Sequence, residues 1–246
     1  MKKSINRNEQ IIFLEKSGTS RCIKVLDNGK QRWLTFNNNY FQSLINKKKP
    51  YTPLMKYLPH LCLNLPTTQQ QSSLIFGVAG GSIYHYLKHY HPKLLMTLVE
   101  IEPALIDIAK QYFSVDLPII QADAFEHIKN CQQYDHIIID IFIKKSLPEI
   151  LLNGEFFTHC KKQARSSISI NLLSHTFDDL AKMVHVIRDV FEDKTICLPV
   201  NKNSNLVCHA YTGADHLTII QRYYEQQLIR KPQWHPKLGM LAGLQP

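Results

Sequence analysis

With 246 residues, 44% of them hydrophobic and 20% charged, the chain can bury a sizeable core without disulfides or a structural metal. The formal charge of +9 argues against long-range attraction of a polycation, but the only dense basic cluster is Lys47-Lys48-Lys49, outside any nucleic-acid motif, so nucleic acid is not an expected partner. No apolar run long enough for a membrane span, no apolar stretch behind Met1-Lys2-Lys3, and six scattered cysteines without a C-x-x-C pair predict a reduced, cytoplasmic protein.

In chain order, Ile11–Leu14, Cys22–Leu26 and Arg32–Phe36 read as strands separated by turn signals at Ser17-Gly18 and Asp27-Asn28-Gly29. They predict a small antiparallel β-hairpin module, ordered and packed beside the rest. Tyr51 to Leu65 is apolar at roughly helical spacing, with Pro59 set to kink or break it. Residues 1–66 are therefore expected to form the hairpin module and a connecting helix, followed by a polar linker at Thr67–Gln71.

From residue 72 apolar runs alternate with amphipathic stretches, which predicts a mostly parallel sheet with helices on both faces over 72–230. The candidate strands are Ser73–Phe76, Leu95–Val99, Pro118–Ile120, His136–Ile139, Ser167–Ile170, Thr195–Leu198 and Leu206–Tyr211. Leu105, Ile108, Ala109, Tyr112 and Phe113 make one helical stripe, and Phe177, Leu180, Ala181, Val184, Ile187 and Phe191 another. The proline-interrupted end, 231–246, is expected to be irregular.

The chemistry gathers at strand ends. Leu74-Ile75-Phe76 runs into the glycine turn Gly77-Val78-Ala79-Gly80-Gly81, and a helix follows. Such a turn lets backbone approach a ligand and presents free N–H groups, though glycines also end strands for structural reasons alone. Glu100 ends the next strand roughly 20 residues on, where a carboxylate can accept from both ribose hydroxyls or simply be solvated. Glu102 beside it can favour the following helix N-terminus. Asp123-Ala124 pairs an acid with a small residue, suited to reading an adenine and equally to capping a helix. Asp140 ends a fourth strand at the same edge. Four strand ends thus aim polar groups at one crevice, where open parallel sheets bind ligands.

The order Gly77…Gly81, Val99-Glu100-Ile101-Glu102, Asp123-Ala124 and Tyr134-Asp135…Asp140 resembles the spermidine synthase (polyamine aminopropyltransferase) family. Upstream, Gln42, Tyr51 and Leu58-Pro59 keep that family's spacing. Downstream, Phe156-Phe157 and Ile170-Asn171-Leu172 resemble its later helix and strand. The resemblance covers roughly residues 10 to 212 and is closest to a divergent branch. It implies a Rossmann-like α/β fold with the seven-stranded methyltransferase-type sheet, a homodimer, and S-adenosylmethionine or its decarboxylated form as cofactor. By it, Gln42, Gly77, Gly80, Gly81, Glu100, Asp123 and Ala124 hold the nucleoside and flank its sulfonium tail, while Tyr51 and Asp140 lie near the transferred group.

Departures from the family pattern bear on activity. Gly80 stands where the family carries an aspartate for the aminopropyl amine, and Ile143 where it carries a second aspartate near the attacking amine. Lys47 and Lys48 replace acids, and Thr52-Pro53 replaces a His-Glu pair. These changes leave three readings: aminopropyl transfer, methyl transfer to an unknown acceptor, or nucleoside binding without catalysis. His85 and His89 share a helix face at metal-ligand spacing, but no third ligand accompanies them, so a surface cluster and no metal are expected.

Overall fold

The computed structural model describes residues 10–16, 22–37, 40–142, 148–174, 176–200, 205–213 and 215–245. Four N-terminal strands, β1 (Gln10–Lys16), β2 (Cys22–Asp27), β3 (Gln31–Phe36) and β4 (Tyr40–Asn46), form one antiparallel sheet in sequence order. The β2–β3 turn closes as its residues dictate. Gly29 takes φ +82°, the Asp27 carboxylate accepts from its N–H, and the Asn28 side chain accepts from Lys30 and Gln31 N–H. The Ser17-Gly18 turn lies outside the described residues. A fourth strand, β4, joins the three expected ones.

Between the sheets lies α1 (Leu58–Leu61), a single turn with Pro59 at its start. The apolar spacing from Tyr51 to Leu65 thus does not make a long helix. Leu58, Leu61, Cys62 and Leu65 are nonetheless buried, so the spacing reports burial against the large sheet.

The remaining elements alternate: β5 (Gln71–Phe76), α2 (Ser82–Tyr90), β6 (Leu94–Glu100), α3 (Pro103–Phe113), β7 (Ile119–Gln121), α4 (Ala124–Asn130), β8 (Tyr134–Ile139). A 3₁₀ turn at Glu149–Leu152 leads to α5 (Gly154–Gln163), β9 (Ala164–Leu173), α6 (Phe177–Phe191), β10 (Thr195–Pro199), β11 (Asn205–Tyr211) and α7 (His216–Glu225). Two short strands follow, β12 (Gln233–His235) and β13 (Gly239–Leu241). The sheet order is β12-β13-β10-β11-β9-β8-β5-β6-β7. Strands β5 to β9 are mutually parallel, and β11 runs antiparallel to both its neighbours.

The seven expected strands form the body of this sheet, an α/β fold of the Rossmann-like type, and the C-terminal segment extends it to nine. Residues 231–246 are therefore not irregular throughout. Pro232 and Pro236 bracket β12 without interrupting it, and the hairpin pairs Trp234 with Met240 and Cys197 with Leu241. Arg188 on α6 lies 5.1 Å from the Trp234 ring, holding the hairpin to the body.

Strand β8 is apolar almost throughout because both its faces are covered. Ile137 and Ile139 join Phe156, Phe157, Met183 and Ile187 on one side, while Ile138 joins Leu58, Leu61, Ile83 and Leu87 on the other. The N-terminal sheet docks through Ile23, Val25, Leu34, Phe36 and Ile45 on Leu105, Ile108 and Phe113 of α3. No helix among the described residues is long and apolar enough to cross a membrane.

Candidate functional site

A cavity of about 1030 Å³ opens at the C-terminal ends of β5, β6, β7 and β8, walled on its other side by β4 and residues 54–57. Such a volume suits a nucleoside cofactor together with a second molecule. The glycine turn forms its floor. Gly77 takes φ +88°, and a Cβ there would collide with the backbone carbonyl of Asp140, so only glycine lets β5 and β8 end side by side. Ala79 also has positive φ, +48°. Strain in a non-glycine residue at this place marks a turn whose shape is imposed by its surroundings.

Those surroundings include Glu100. Its Oε2 accepts from Val78 and Ala79 N–H at 3.0 and 3.1 Å, and its Oε1 from Ile101 and Glu102 N–H at 3.0 and 3.2 Å. All four acceptor positions of the carboxylate are thereby used, and the side chain pins the glycine turn to the end of β6. Asp123 caps α4, its Oδ1 accepting from Phe125 and Glu126 N–H, while Oδ2 has no partner among the described residues. Ala124 follows it with only a methyl group facing the cavity wall.

At the end of β8 stands Asp140. Its Oδ2 accepts from Tyr57 Oη at 2.7 Å and its Oδ1 from Asn171 Nδ2 at 2.8 Å, and Asn171 Oδ1 accepts in turn from Asn205 Nδ2 at 2.8 Å. Burial pushes the Asp140 carboxyl above the ordinary aspartate range, the Glu100 charge adds to the rise, and the two hydrogen bonds oppose it. Burial and the Asp140 charge drive the Tyr57 phenol upward, so Tyr57 stays protonated and donates.

Tyr57 is held in place by a polar stripe on β9. Asn64 Nδ2 donates to Ser167 Oγ at 2.6 Å, and Ser169 Oγ donates to Asn64 Oδ1 at 3.0 Å. His209 Nε2 lies 2.9 Å from the His60 carbonyl oxygen, and His136 bridges Ser167 and Gln71. These contacts fasten residues 57–64 over the sheet. On the other side, Gly80 N–H donates to Ser43 Oγ at 2.8 Å and Leu44 N–H to Ser82 Oγ at 3.0 Å, tying β4 to the glycine turn.

Six of the nine residues singled out from sequence line the cavity: Gln42, Gly77, Glu100, Asp123, Ala124 and Asp140. Three do not. A Cβ at Gly80 would lie 2.8 Å from Ser43 Cβ and 3.0 Å from the Phe113 ring, so this position faces the packed β4–α3 side. Gly81, at φ +73°, backs onto Val115. Tyr51 turns outward and stacks on His89 of α2, ring centroids 3.6 Å apart. The tyrosine beside Asp140 is Tyr57, and no motif flags it. Its only signal is a hydroxyl inside an otherwise apolar run.

Lys47 does not face the cavity either, since its ammonium sits on Asp27 at 2.9 Å. Lys48 is likewise absent from the lining, whose single cation among the described residues is Lys56. Ile143 lies outside the described residues. His85 is buried, with Nε2 2.6 Å from the Phe113 carbonyl oxygen, so the paired histidines are no surface cluster. Among the described residues no three His, Cys, Asp or Glu side chains come together as metal ligands.

The sequence profile of the spermine/spermidine synthase domain matches residues 53–200, more than half of the chain. The chain belongs to the spermine/spermidine synthase family. One relative within this family, the polyamine aminopropyltransferase of Vibrio vulnificus, is 28% identical over 185 residues, covering 69% of this chain and 61% of its own length. The chain thus spans about three fifths of that relative. The eEF1A lysine and N-terminal methyltransferase of Xenopus laevis is 27% identical over 139 residues, half of this chain and 20% of that protein. A spermidine synthase solved with the transition-state analogue AdoDATO superposes with a TM-score of 0.63 at 19% identity, covering 85% of this chain and 74% of the other. That likeness establishes the shared fold of the spermine/spermidine synthase family.

Proposed function

We propose that this family member is a group transferase that uses S-adenosylmethionine, with Asp140 as the proton acceptor. The observation that carries the reading is the Asp140 carboxyl, buried in the cavity wall and clamped by Tyr57 and Asn171. When bound, the sulfonium supplies an electrophilic carbon whose bond to sulfur breaks, with its electron pair, as the acceptor's bond forms. Asp123 Oδ2 is the acceptor for the exocyclic amine of an adenine, and Ala124 leaves room for the ring. Glu100 takes the ribose hydroxyls by sharing or exchanging its backbone donors, and Gln42 closes the nucleoside from β4.

Asp140 receives the proton that the attacking acceptor loses. Burial raises its proton affinity above that of an ordinary aspartate, which favours acceptance of a proton, and its two fixed donors aim the carboxylate before an acceptor arrives.

Methyl transfer is favoured over aminopropyl transfer. Selection of the decarboxylated cofactor in the resembling synthases rests on an aspartate in the glycine turn. Here Gly80 leaves no space for one, and no acid from that position opposes a ligand carboxylate. The relatives supply the other reading, aminopropyl transfer with substituted groups. A homodimer belongs to the proposal as well, supported by the exposed Ile11 and Leu14 on the edge strand β1. So does a cytoplasmic setting, supported by six unpaired cysteines.

Mass spectrometry of the purified chain with each cofactor form and a panel of amines tests the proposal. Methylated acceptor is expected from S-adenosylmethionine, and little or no spermidine from putrescine with the decarboxylated form. Efficient spermidine formation contradicts methyl transfer and returns the protein to the aminopropyltransferases.

A further inference from the structure

We infer that Lys56 is a carboxylate-binding residue of the cavity, placed beside the proton acceptor. The inference rests on the reading of the cavity as a sulfonium-and-acceptor site and names a residue that sets its ligand class. Lys56 directly precedes Tyr57, whose hydroxyl is on Asp140, so chain connectivity puts it at the reacting end and not at the adenine end. It lines the cavity and is the sole cation among the described residues that do. Its carbonyl is held by His60 Nδ1 at 3.1 Å, which fixes the backbone from which the side chain extends.

The acids of the cavity leave its ammonium free. Glu100 is filled by four backbone N–H groups, Asp140 is bound to Tyr57 and Asn171, Asp123 caps α4 through Oδ1, and no ion pair joins Lys56 to any of these or to Glu102, the fourth acid of the lining. Lys56 has no ion-pair partner among the described residues, whereas Lys47 is neutralised by Asp27 and Lys88 by Asp116. A ligand carboxylate entering beside Lys56 meets an unpaired ammonium, and the steric closure at Gly80 leaves no room for a further acid in the glycine turn.

The carboxylate has two sources, the methionyl tail of the cofactor or an acid carried by the acceptor amine. Two pairs of ligands that differ only by that group separate them. S-adenosylmethionine is compared with its decarboxylated form. With methylthioadenosine saturating the nucleoside site, γ-aminobutyrate is compared with propylamine. Binding of each is measured by calorimetry on the full chain, the Lys56→Gln variant and the Lys56→Glu variant.

The carboxylate member of at least one pair is expected to bind the wild type about fivefold tighter than its twin. Lys56→Gln should abolish that preference and Lys56→Glu reverse it, with the decarboxylated twin never binding more weakly than to the wild type. The pair that responds identifies the source. Twins that bind alike in the wild type, or variants that weaken both members of a pair equally, overturn the role of Lys56. In that case undiminished methylthioadenosine binding leaves the transferase reading standing. Failure of the wild type to bind methylthioadenosine at all removes both.

Discussion

Asp140 carries the sharpest consequences. Its folded-state proton affinity is raised, so its contribution to stability is greatest at low pH and is lost as pH rises through the folded pKa. Asparagine keeps the shape, accepts from Asn171 and donates to a turned Tyr57 hydroxyl. Asp140→Asn is therefore expected to melt no lower than wild type at pH 8 while transfer falls roughly a hundredfold or more. A cooperative melt with undiminished turnover would remove Asp140 from the mechanism. The Tyr57 hydrogen bond holds the Asp140 carboxyl down, so Tyr57→Phe should move the acid limb of the pH–rate profile to higher pH, and Tyr51→Phe should leave it in place. At this scale the sequence was readable where backbone position alone decides. The ends of β5, β6, β7 and β8 deliver Gly77, Glu100, Asp123 and Asp140 to one crevice in any such sheet. Tyr51 and Tyr57 sit in irregular chain, where a turn of a few residues decides which one points inward, and no periodicity encodes that turn.

Element by element, legibility followed burial. Strands β5 to β11 announce themselves as apolar runs because both sheet faces are covered, and α3 and α6 by their stripes. Strand β4 was hidden because Tyr40–Asn46 runs straight into lysines without a turn signal. The β12–β13 hairpin was hidden because prolines flank it and its strands are only three residues long. The stretch from Tyr51 to Leu65 shows the converse error, where helical spacing meets Pro59 and yields only one turn of helix. What secures that stretch is side-chain hydrogen bonding to β9. Asn64→Ala removes its bonds to Ser167 and Ser169, at about 1 kcal/mol each. A loss of about 2 kcal/mol in urea unfolding is expected, with transfer impaired more than nucleoside binding because Tyr57 is displaced while the glycine turn is untouched. Equal losses in both would mean that Asn64 supports the whole cavity and not Tyr57 alone.

For the molecule as a whole, two buried histidines set the acid limit. His136 and His209 are pushed down to about 4 by burial, from an ordinary value of 6.5. Both are neutral in the folded protein, so their stabilising contribution is complete above pH 6.5 and is lost as pH falls toward 4. Each contributes a slope of about 1.4 kcal/mol per pH unit. Denaturant titrations across that window should show stability falling by on the order of 5 kcal/mol, well before most carboxylates protonate. A flat profile down to pH 4 would mean that these histidines are protonated in the fold. The overall charge of +9, by contrast, told little about the cavity, because Lys47 is spent on Asp27 and the cavity itself carries several acids.

The most direct measurement is a calorimetric titration of the purified chain with S-adenosylmethionine, run beside the Ala124→Phe variant. One saturable site per chain is expected for the wild type. In the variant, which fills the adenine position with a ring, binding should be lost while the melting curve stays cooperative. No binding to the wild type, or equal binding to the variant, would contradict the assignment of this cavity to an S-adenosyl nucleoside.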